Sequence, residues 1–430
     1  MISNLIQACV TPIFKFTDIR NLEAMSSKIQ FKQWDLKAPH YWSLLAILGV
    51  IAGIGGLSVL YMEHHGHWVT GMSNSIVWGV PHVFAIFLIV AASGALNIAS
   101  IGSVFNKKIY KPLAPLSSLL AIALLLGGLA VLVLDLGRPD RLIVAMTNYN
   151  FKSIFAWNIY LYTGFMAIVG FYIWTMLDRN MAKYYKAAGT TAFVWRLLLT
   201  TGTGSIFGFL VARQGFDAAI FAPWFIIMSF GFGLAIYILV LIFVFDQAKR
   251  DLGDVIVQRL ASLLSVFIAA TFLMTTIYHL QGLYITENHA YESFILLNGG
   301  IYTSLFWFGY VLLGTIVPLG LILHPSLGQS RGAIITASSL VIVGGLALVY
   351  VILIGGQAFP MALFPDKTII ESGFYDGVNG EYFSYSFTIF ELLLGLGGCA
   401  VTLLVTFIGI RMLRFLPESL ADSIADPHHK

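Results

Sequence analysis

Ten long apolar stretches, separated by short polar connections, constrain this 430-residue chain more than any other feature. Each stretch is long enough to cross about 30 Å of hydrocarbon as an α-helix, which takes roughly 20 apolar residues. Charged residues make up only 10% of the chain, against roughly 25% in soluble domains. We therefore predict an all-α, polytopic integral membrane protein with ten transmembrane helices, whose cores lie at 41–61, 76–100, 114–134, 154–176, 193–212, 223–245, 261–283, 301–323, 334–355 and 385–410.

A weak internal repeat indicates how the predicted spans are grouped. The pattern Trp-x-x-Tyr-x-x-x-Gly begins at Trp157 in the fourth span and again at Trp307 in the eighth, although Trp and Gly are common in membrane helices. We interpret the repeat as two related four-helix bundles followed by two additional helices. The predicted organisation is an amphipathic or solvated N-terminal arm, a first bundle, a second bundle, two additional helices and a tail, at 1–40, 41–180, 181–330, 331–415 and 416–430.

Positive residues are unevenly divided between the two sets of predicted loops. Of the 24 Lys and Arg residues, 19 fall on one side, Arg196 among them, and 5 on the other: Arg138, Arg141, Lys152, Arg213 and Lys367. Cytoplasmic loops of membrane proteins carry the excess of Lys and Arg. We therefore expect both termini in the cytoplasm and the end of the third span on the outer face.

The stretch Asp135-Leu136-Gly137-Arg138-Pro139 carries the strongest chemical signal. It follows directly on the apolar third span, where a charged side chain costs free energy and is usually paired or functional. Pro139 is expected to stop the helix, and Gly137 to let the backbone turn. Because Asp135 and Arg138 are three residues apart, we expect them to form an ion pair. A comparable offset leads to His279 in the second bundle, where we expect a degenerate copy of the site without the carboxylate–arginine pair.

Other site chemistries have weaker support. Cys9 and Cys399 lie near opposite ends of the chain, without the paired spacing of a cysteine-ligated metal or cluster. Transmembrane cytochromes need facing axial histidines, and no predicted span carries two histidines a membrane depth apart. The cluster His64, His65 and His67 leaves haem, zinc and partner contact open, with partner contact preferred. We expect no haem or metal in this chain, and the scattered positive charge predicts no nucleic-acid partner.

Four segments, taken together, resemble a known family. The order and spacing of these segments, within residues 40–410, look like the polysulfide-reductase membrane subunit family, also called NrfD-like, in a ten-span form. That form is similar to the membrane subunits of alternative complex III, of hydrogenase complexes and of sulfite-reduction-associated complexes. The segments are Trp78-Gly79-Val80-Pro81, Ala91-Ala92-Ser93-Gly94-Ala95, Asp135-Leu136-Gly137-Arg138-Pro139 and Phe155-Ala156-Trp157-Asn158.

The resemblance implies a membrane subunit without a redox centre of its own. Such a subunit exchanges electrons between an exchangeable quinone, menaquinone or ubiquinone, and a peripheral iron–sulfur subunit. The implied partners are membrane lipid and a periplasmic, ferredoxin-like subunit, with a molybdopterin or multihaem catalytic subunit beyond it. The implied location is a bacterial or archaeal cytoplasmic membrane, with the quinone pocket near the outer face of the first bundle.

Residue by residue, the resemblance carries over to Asp135, Arg138, Trp78 and Gly79 as candidates for the quinone site. Quinol oxidation releases two electrons and two protons, so the ring oxygens need partners that accept protons. Asp135 suits this role, and His82 in the second span is the candidate for the other ring oxygen. The structural alternatives are a helix cap formed by Asp135 with Arg138, and a helix-packing role for His82.

Two further functions are left open by the sequence. Repeated halves, many glycines and Pro81, Pro223 and Pro318 are also typical of secondary transporters, whose broken helices surround a site at mid-depth. Against this, the ionisable residues gather near the predicted membrane surfaces. A redox-inactive anchor of an electron-transfer complex is the other alternative.

Overall fold

The computed structural model describes residues 29–34, 39–361 and 382–425. Most of the predicted N-terminal arm, most of the loop before the last span and the last residues of the tail lie outside these ranges. The described part of the protein is almost entirely helical, which confirms the predicted all-α membrane fold. Its long helices are α1 Pro39–His65, α2 Val80–Ser103, α3 Ala114–Leu134, α4 Ile154–Leu177, α5 Tyr185–Gly208, α6 Phe221–Gln247, α7 Asp254–Tyr284, α8 Ile301–Leu323, α9 Arg331–Ala358 and α10 Ile389–Met412.

Nine of the helices within the described ranges are long and apolar enough to cross a membrane. The remaining one, α5, is 24 residues long, but Arg196 and a run of Thr and Gly residues lower its mean hydropathy. The fifth predicted span, 193–212, is therefore present as a helix that begins eight residues earlier, at Tyr185. The count of ten membrane crossings stays a prediction.

The helices pack into two groups of four with an outer pair. Helices α2 to α5 contact one another, α6 to α9 do the same, and α6 joins the groups by packing on α2 and α5. Helix α10 packs on α1, α3 and α2, whereas α9 packs on α8 and α6. These contacts favour α1 and α10 as the additional pair, whereas α9 and α10 were expected. The predicted boundaries at 41–180, 181–330 and 331–415 therefore group the helices differently from the observed packing.

Glycines allow the two groups of helices to approach closely. A Cβ atom on Gly94 of α2 would collide with the backbone of Ser229 in α6, and one on Gly233 of α6 with the backbone of Ala95. Small residues permit such backbone contacts between membrane helices, where dispersion rather than water exclusion holds the helices together. The small-residue run in the second span therefore serves helix packing at this crossing.

Helix α2 is interrupted at Leu96 by side chains from its neighbours. The Ser117 hydroxyl of α3 donates to Ala95 O (2.7 Å) and accepts from Ala99 N (3.1 Å), so it replaces a helix hydrogen bond. Arg196 of α5 donates to Ser93 O and to Asn97 Oδ1 on either side of the interruption. Arg196 is fully buried within α5, so its assignment to a cytoplasmic loop was wrong. The predicted cytoplasmic loops therefore contain one positive residue fewer than expected.

Two short strands connect the two ends of the sequence away from Asp135. Strand β1, Phe31–Lys32, pairs antiparallel with β2, Leu416–Pro417, near the turn that precedes α3. Arg250 donates to Leu416 O, Pro417 O and Gln33 O, so it holds both strands. The described end of the predicted arm is thus a strand joined to the tail.

Two of the three prolines considered as helix breaks do not break a helix. Pro81 and Pro223 lie in the first turns of α2 and α6, where an N–H donor has no helical partner and proline is tolerated. Pro318 lies in α8, just after the π-helical segment Leu305–Ile316. Of the three prolines, Pro318 in α8 is therefore the one that still fits a transporter with broken helices.

Candidate functional site

A cavity of about 360 Å³ lies within the first group of helices, between α2, α3, α4 and α5. Its volume is in the range of small-molecule sites, about 300–1,000 Å³. Leu136 and Phe155 line it and are each 45% exposed, so the cavity reaches the protein surface between α3 and α4. The wall is mostly apolar, with a few polar side chains: His82, Asn158, Tyr162, Thr163 and Thr203.

His82 and Asp135 form a buried pair at this cavity. His82 Nδ1 lies 2.8 Å from Asp135 Oδ2, and the side chains are 12% and 0% exposed. Because α2 begins at Val80, later than predicted, His82 occupies its first turn. Asp135 follows the last residue of α3, where the helix dipole disfavours negative charge. Neither Asp135 oxygen accepts a hydrogen bond from any residue that the structure describes.

The expected pair between Asp135 and Arg138 does not form. Gly137 has φ +68°, as its predicted turning role requires, and the turn directs Arg138 away from the cavity. The Arg138 side chain is 64% exposed and its Nε lies 3.2 Å from Asp140 Oδ1. The hydrogen bond from Arg138 lowers the pKa of the Asp140 carboxyl. The i, i+3 spacing predicted the wrong partner because the turn separates the two side chains.

Trp78 and Gly79 have different roles in the structure. Trp78 lines the cavity, and its ring centroid lies 6.5 Å from that of His82 and 6.0 Å from that of Phe155. Gly79 does not line the cavity. A Cβ atom on Gly79 would lie 2.5 Å from Tyr385 Oη and 2.6 Å from Glu391 Oε1, so the glycine allows α10 to approach.

A second polar group faces the cavity from α4 and α5. Tyr162 Oη lies 3.2 Å from Thr203 Oγ1, and Asn158 Nδ2 donates to Gly202 O at 3.1 Å. These residues were not predicted as part of the site, although Asn158 lies within one of the family segments. The four-residue spacing of Asn158 and Tyr162, which puts two polar side chains on one face of an apolar helix, was the available signal.

The second group of helices contains its own buried histidine–carboxylate pair. His279 Nδ1 at the end of α7 lies 2.7 Å from Glu292 Oε2 in the short helix His289–Ser293. The offset from the Asp135 region to His279 predicted a degenerate copy of the site without the carboxylate–arginine pair. The structure adds a carboxylate that the offset did not indicate, because Glu292 comes from a separate segment 13 residues later.

The three histidines of the predicted cluster have different contacts. His65 Nδ1 lies 3.1 Å from Tyr61 O, whereas the His67 ring packs over Gly137 and its Nε2 lies 3.8 Å from Glu63 Oε1. Within the described ranges, no three His, Cys, Asp or Glu side chains are placed to hold one metal ion. His67 therefore contributes to packing of the turn after α3.

Comparison with known proteins gives a match over most of the sequence. The family described as polysulphide reductase, NrfD matches residues 68–361, which contain α2 to α9 and leave out α1 and α10. This range agrees with the packing, in which α1 and α10 form the outer pair.

Three curated relatives show the range of similar proteins. The Hdr-like menaquinol oxidoreductase integral membrane subunit of Archaeoglobus fulgidus is 26% identical over 400 residues, 93% of this chain and 99% of the relative. A selenate reductase subunit of Mesobacillus selenatarsenatis is 22% identical, over 85% of this chain and 92% of the relative. The protein NrfD of Escherichia coli is 23% identical, over 66% of this chain and 96% of the relative.

Proposed function

This chain belongs to the polysulphide reductase NrfD family, and we propose that it is the quinone-interacting membrane subunit of an electron-transfer complex. The observation that carries the proposal is the apolar cavity whose wall contains His82, the histidine that pairs with the buried Asp135 behind it. The name of the Archaeoglobus relative, a menaquinol oxidoreductase subunit, supports the same class of substrate. The proposed ligand is an exchangeable menaquinone or ubiquinone.

The cavity suits a quinone head group by shape and by polarity. Its apolar wall matches a planar ring, and its surface opening between α3 and α4 gives an apolar tail a route to lipid. We assign Leu136 and Phe155, which line the cavity at this opening, as contacts of that tail.

The polar side chains of the cavity supply proton acceptors and hydrogen-bond partners. A bound quinol supplies two electrons and two protons on oxidation. Asp135 Oδ1 has no partner among the described residues and Oδ2 has only the His82 Nδ1 contact at 2.8 Å, and a buried oxygen without a donor costs free energy. We assign His82, with Asp135 behind it as the proton acceptor, to one ring oxygen, and Tyr162 with Thr203 to the other.

The proposed partners supply the redox centres that accept the electrons. We propose that a peripheral iron–sulfur, ferredoxin-like subunit docks at the Asp135 end, where the exposed residues Arg138 and Asp140 lie beside the cavity. A molybdopterin or multihaem catalytic subunit beyond it supplies the terminal chemistry. The names of two relatives, which make them subunits of a menaquinol oxidoreductase and of a selenate reductase, support such an assembly.

The function is tested on the complex purified through this subunit in mild detergent. We expect quinone to co-purify, and menadiol, a soluble naphthoquinol, to reduce the iron–sulfur centres observed by electron paramagnetic resonance. Centres that respond to dithionite but never to menadiol would make this protein a redox-inactive anchor. Solute uptake by proteoliposomes without any quinol response would instead support a transporter.

Reporter fusions test the proposed orientation, with both termini cytoplasmic. A reporter fused after Lys430 is expected to give the cytoplasmic signal, and one inserted near Gly373 the external signal, because Lys and Arg are concentrated in the opposite set of loops. Both positions lie outside the described residues. The inverse pair of signals would place Asp135 and its partner on the cytoplasmic side.

A further inference from the structure

The segment before α2 forms one wall of the cavity without being part of a helix or strand. It carries Trp78, and an irregular segment of this kind needs hydrogen bonds from elsewhere to hold one conformation. Three of those bonds, at Val77 and Trp78, come from a single side chain, Gln357, which lies about 280 residues further along the sequence at the end of α9.

The side-chain amide of Gln357 forms hydrogen bonds with the backbone around Trp78, both as a donor and as an acceptor. Its Oε1 accepts from Val77 N at 3.0 Å and from Trp78 N at 3.1 Å. Its Nε2 donates to Trp78 O at 3.0 Å and to Leu353 O of α9 at 2.8 Å. One buried side chain therefore holds both the N–H and the C=O of Trp78, and ties them to the second group of helices.

Arg213 strengthens the same connection from the loop between α5 and α6. Its Nη1 donates to Gln357 O and its Nη2 to Ser75 O, each at 2.7 Å. The Arg213 guanidinium group thus binds the backbone of Gln357 and also the backbone of the segment, at Ser75. Charge-assisted hydrogen bonds of this kind are stronger than those between neutral groups.

The backbone of α9 changes shape just before Gln357. Residues Val351–Gly355 are π-helical, and the α-helical turn Gly356–Ala358 follows them. A π-helical turn holds an additional residue and rotates the side chains that follow, and such turns are frequent at functional sites. The π-helical segment thus contributes to the direction in which Gln357 projects toward residues 77 and 78.

We propose that Gln357 is a positioning residue for the quinone pocket, through which the second group of helices sets the place of the Trp78 ring. The inference rests on the proposed quinone function, and it adds a residue that does not itself line the cavity. Without the amide, the backbone at Val77 and Trp78 loses three hydrogen bonds and the indole no longer has a fixed distance from His82 and Phe155.

The test compares menadiol oxidation by complexes that carry Gln357→Met, Trp78→Phe or both. Gln357→Met keeps the length of the side chain and removes its hydrogen bonds. We expect KM for menadiol to rise about tenfold with kcat little changed, since a displaced wall weakens binding. Because Gln357 acts through Trp78, the double variant should show nearly the KM of Trp78→Phe alone.

Gln281→Met, an exposed change on α7, is the matched control and should keep the parent KM. If Gln357→Met assembles poorly, Arg213→Gln weakens the same connection and should raise KM about threefold. The inference would be overturned if Gln357→Met and Arg213→Gln both left KM unchanged, or if the effects of Gln357→Met and Trp78→Phe on KM were fully additive. In either case the complex would still oxidise menadiol, and its activity would still depend on Asp135. Loss of the proposed function itself would show differently, as a parent complex that menadiol does not reduce.

Discussion

Asp135→Asn is expected to lower quinol-linked electron transfer about tenfold to a hundredfold, the scale of lost general acid–base assistance. The amide has nearly the same size as the carboxyl, so the cavity keeps its shape. It cannot take up a proton at neutral pH, and it no longer places a negative charge beside His82 Nδ1. Turnover of menadiol by the purified complex, normalised to the amount of this protein, measures the effect.

Assembly of the Asp135→Asn complex should persist. The asparagine keeps a side-chain oxygen that can stay beside His82 Nδ1 and has nearly the same volume, so the packing around the buried position is retained. Asp254→Asn at the start of α7 is the control, since this carboxylate is exposed, pairs with Arg331 and belongs neither to the cavity wall nor to the proposed docking end. Equal turnover in the parent and Asp135→Asn complexes would leave Asp135 as a helix cap.

Ile206→Trp is expected to lower quinol turnover by about two orders of magnitude, because it fills the space that the quinone ring needs. Ile206 lines the cavity from α5, and Leu132 lines it from α3. Larger side chains usually destabilise a packed core by about 1–3 kcal/mol, but here the cavity of about 360 Å³ accepts the added volume. The measurement is menadiol turnover together with the quinone content of the purified complex.

The control for Ile206→Trp is Leu198→Trp on the same helix. Leu198 is 48% exposed and does not line the cavity, so its replacement should leave both turnover and quinone content unchanged. Normal quinone content and full turnover in the Ile206→Trp complex would show that the quinone binds elsewhere. Loss of turnover and of quinone in both variants alike would indicate a defect of α5 rather than a blocked cavity.

Much of the fold follows from the sequence because membrane helices satisfy their backbone hydrogen bonds within one segment. The apolar stretches predicted the long helices, and Pro139 with Gly137 predicted the turn after α3, which has φ +68° at Gly137. The pairing of helices is a different matter. It depends on contacts such as that of Gly55 in α1 with Gly397 in α10, which no local pattern reveals.

The site was predictable only in part. The apolar context of Asp135 and the family segments pointed to the region where the cavity lies, and both Trp78 and His82 line it. Arg138 was assigned to the site because of its spacing from Asp135, but the turn at Gly137 places its side chain beside Asp140. Tyr162 was missed although its spacing from Asn158 was a signal, and Thr203 was missed because a single hydroxyl in an apolar helix does not differ in sequence from one that bonds only its own backbone.

The sequence by itself determined that this protein is a membrane protein built of helices and that a carboxylate ends its third span, since both properties depend on local composition. Only the tertiary structure decided which groups meet that carboxylate and which hold the wall of the cavity. His82 reaches Asp135 from a neighbouring helix, and Gln357 reaches Trp78 from the other group of helices. Such contacts depend on the crossing and rotation of packed helices, which are set by the fit of many side chains at once.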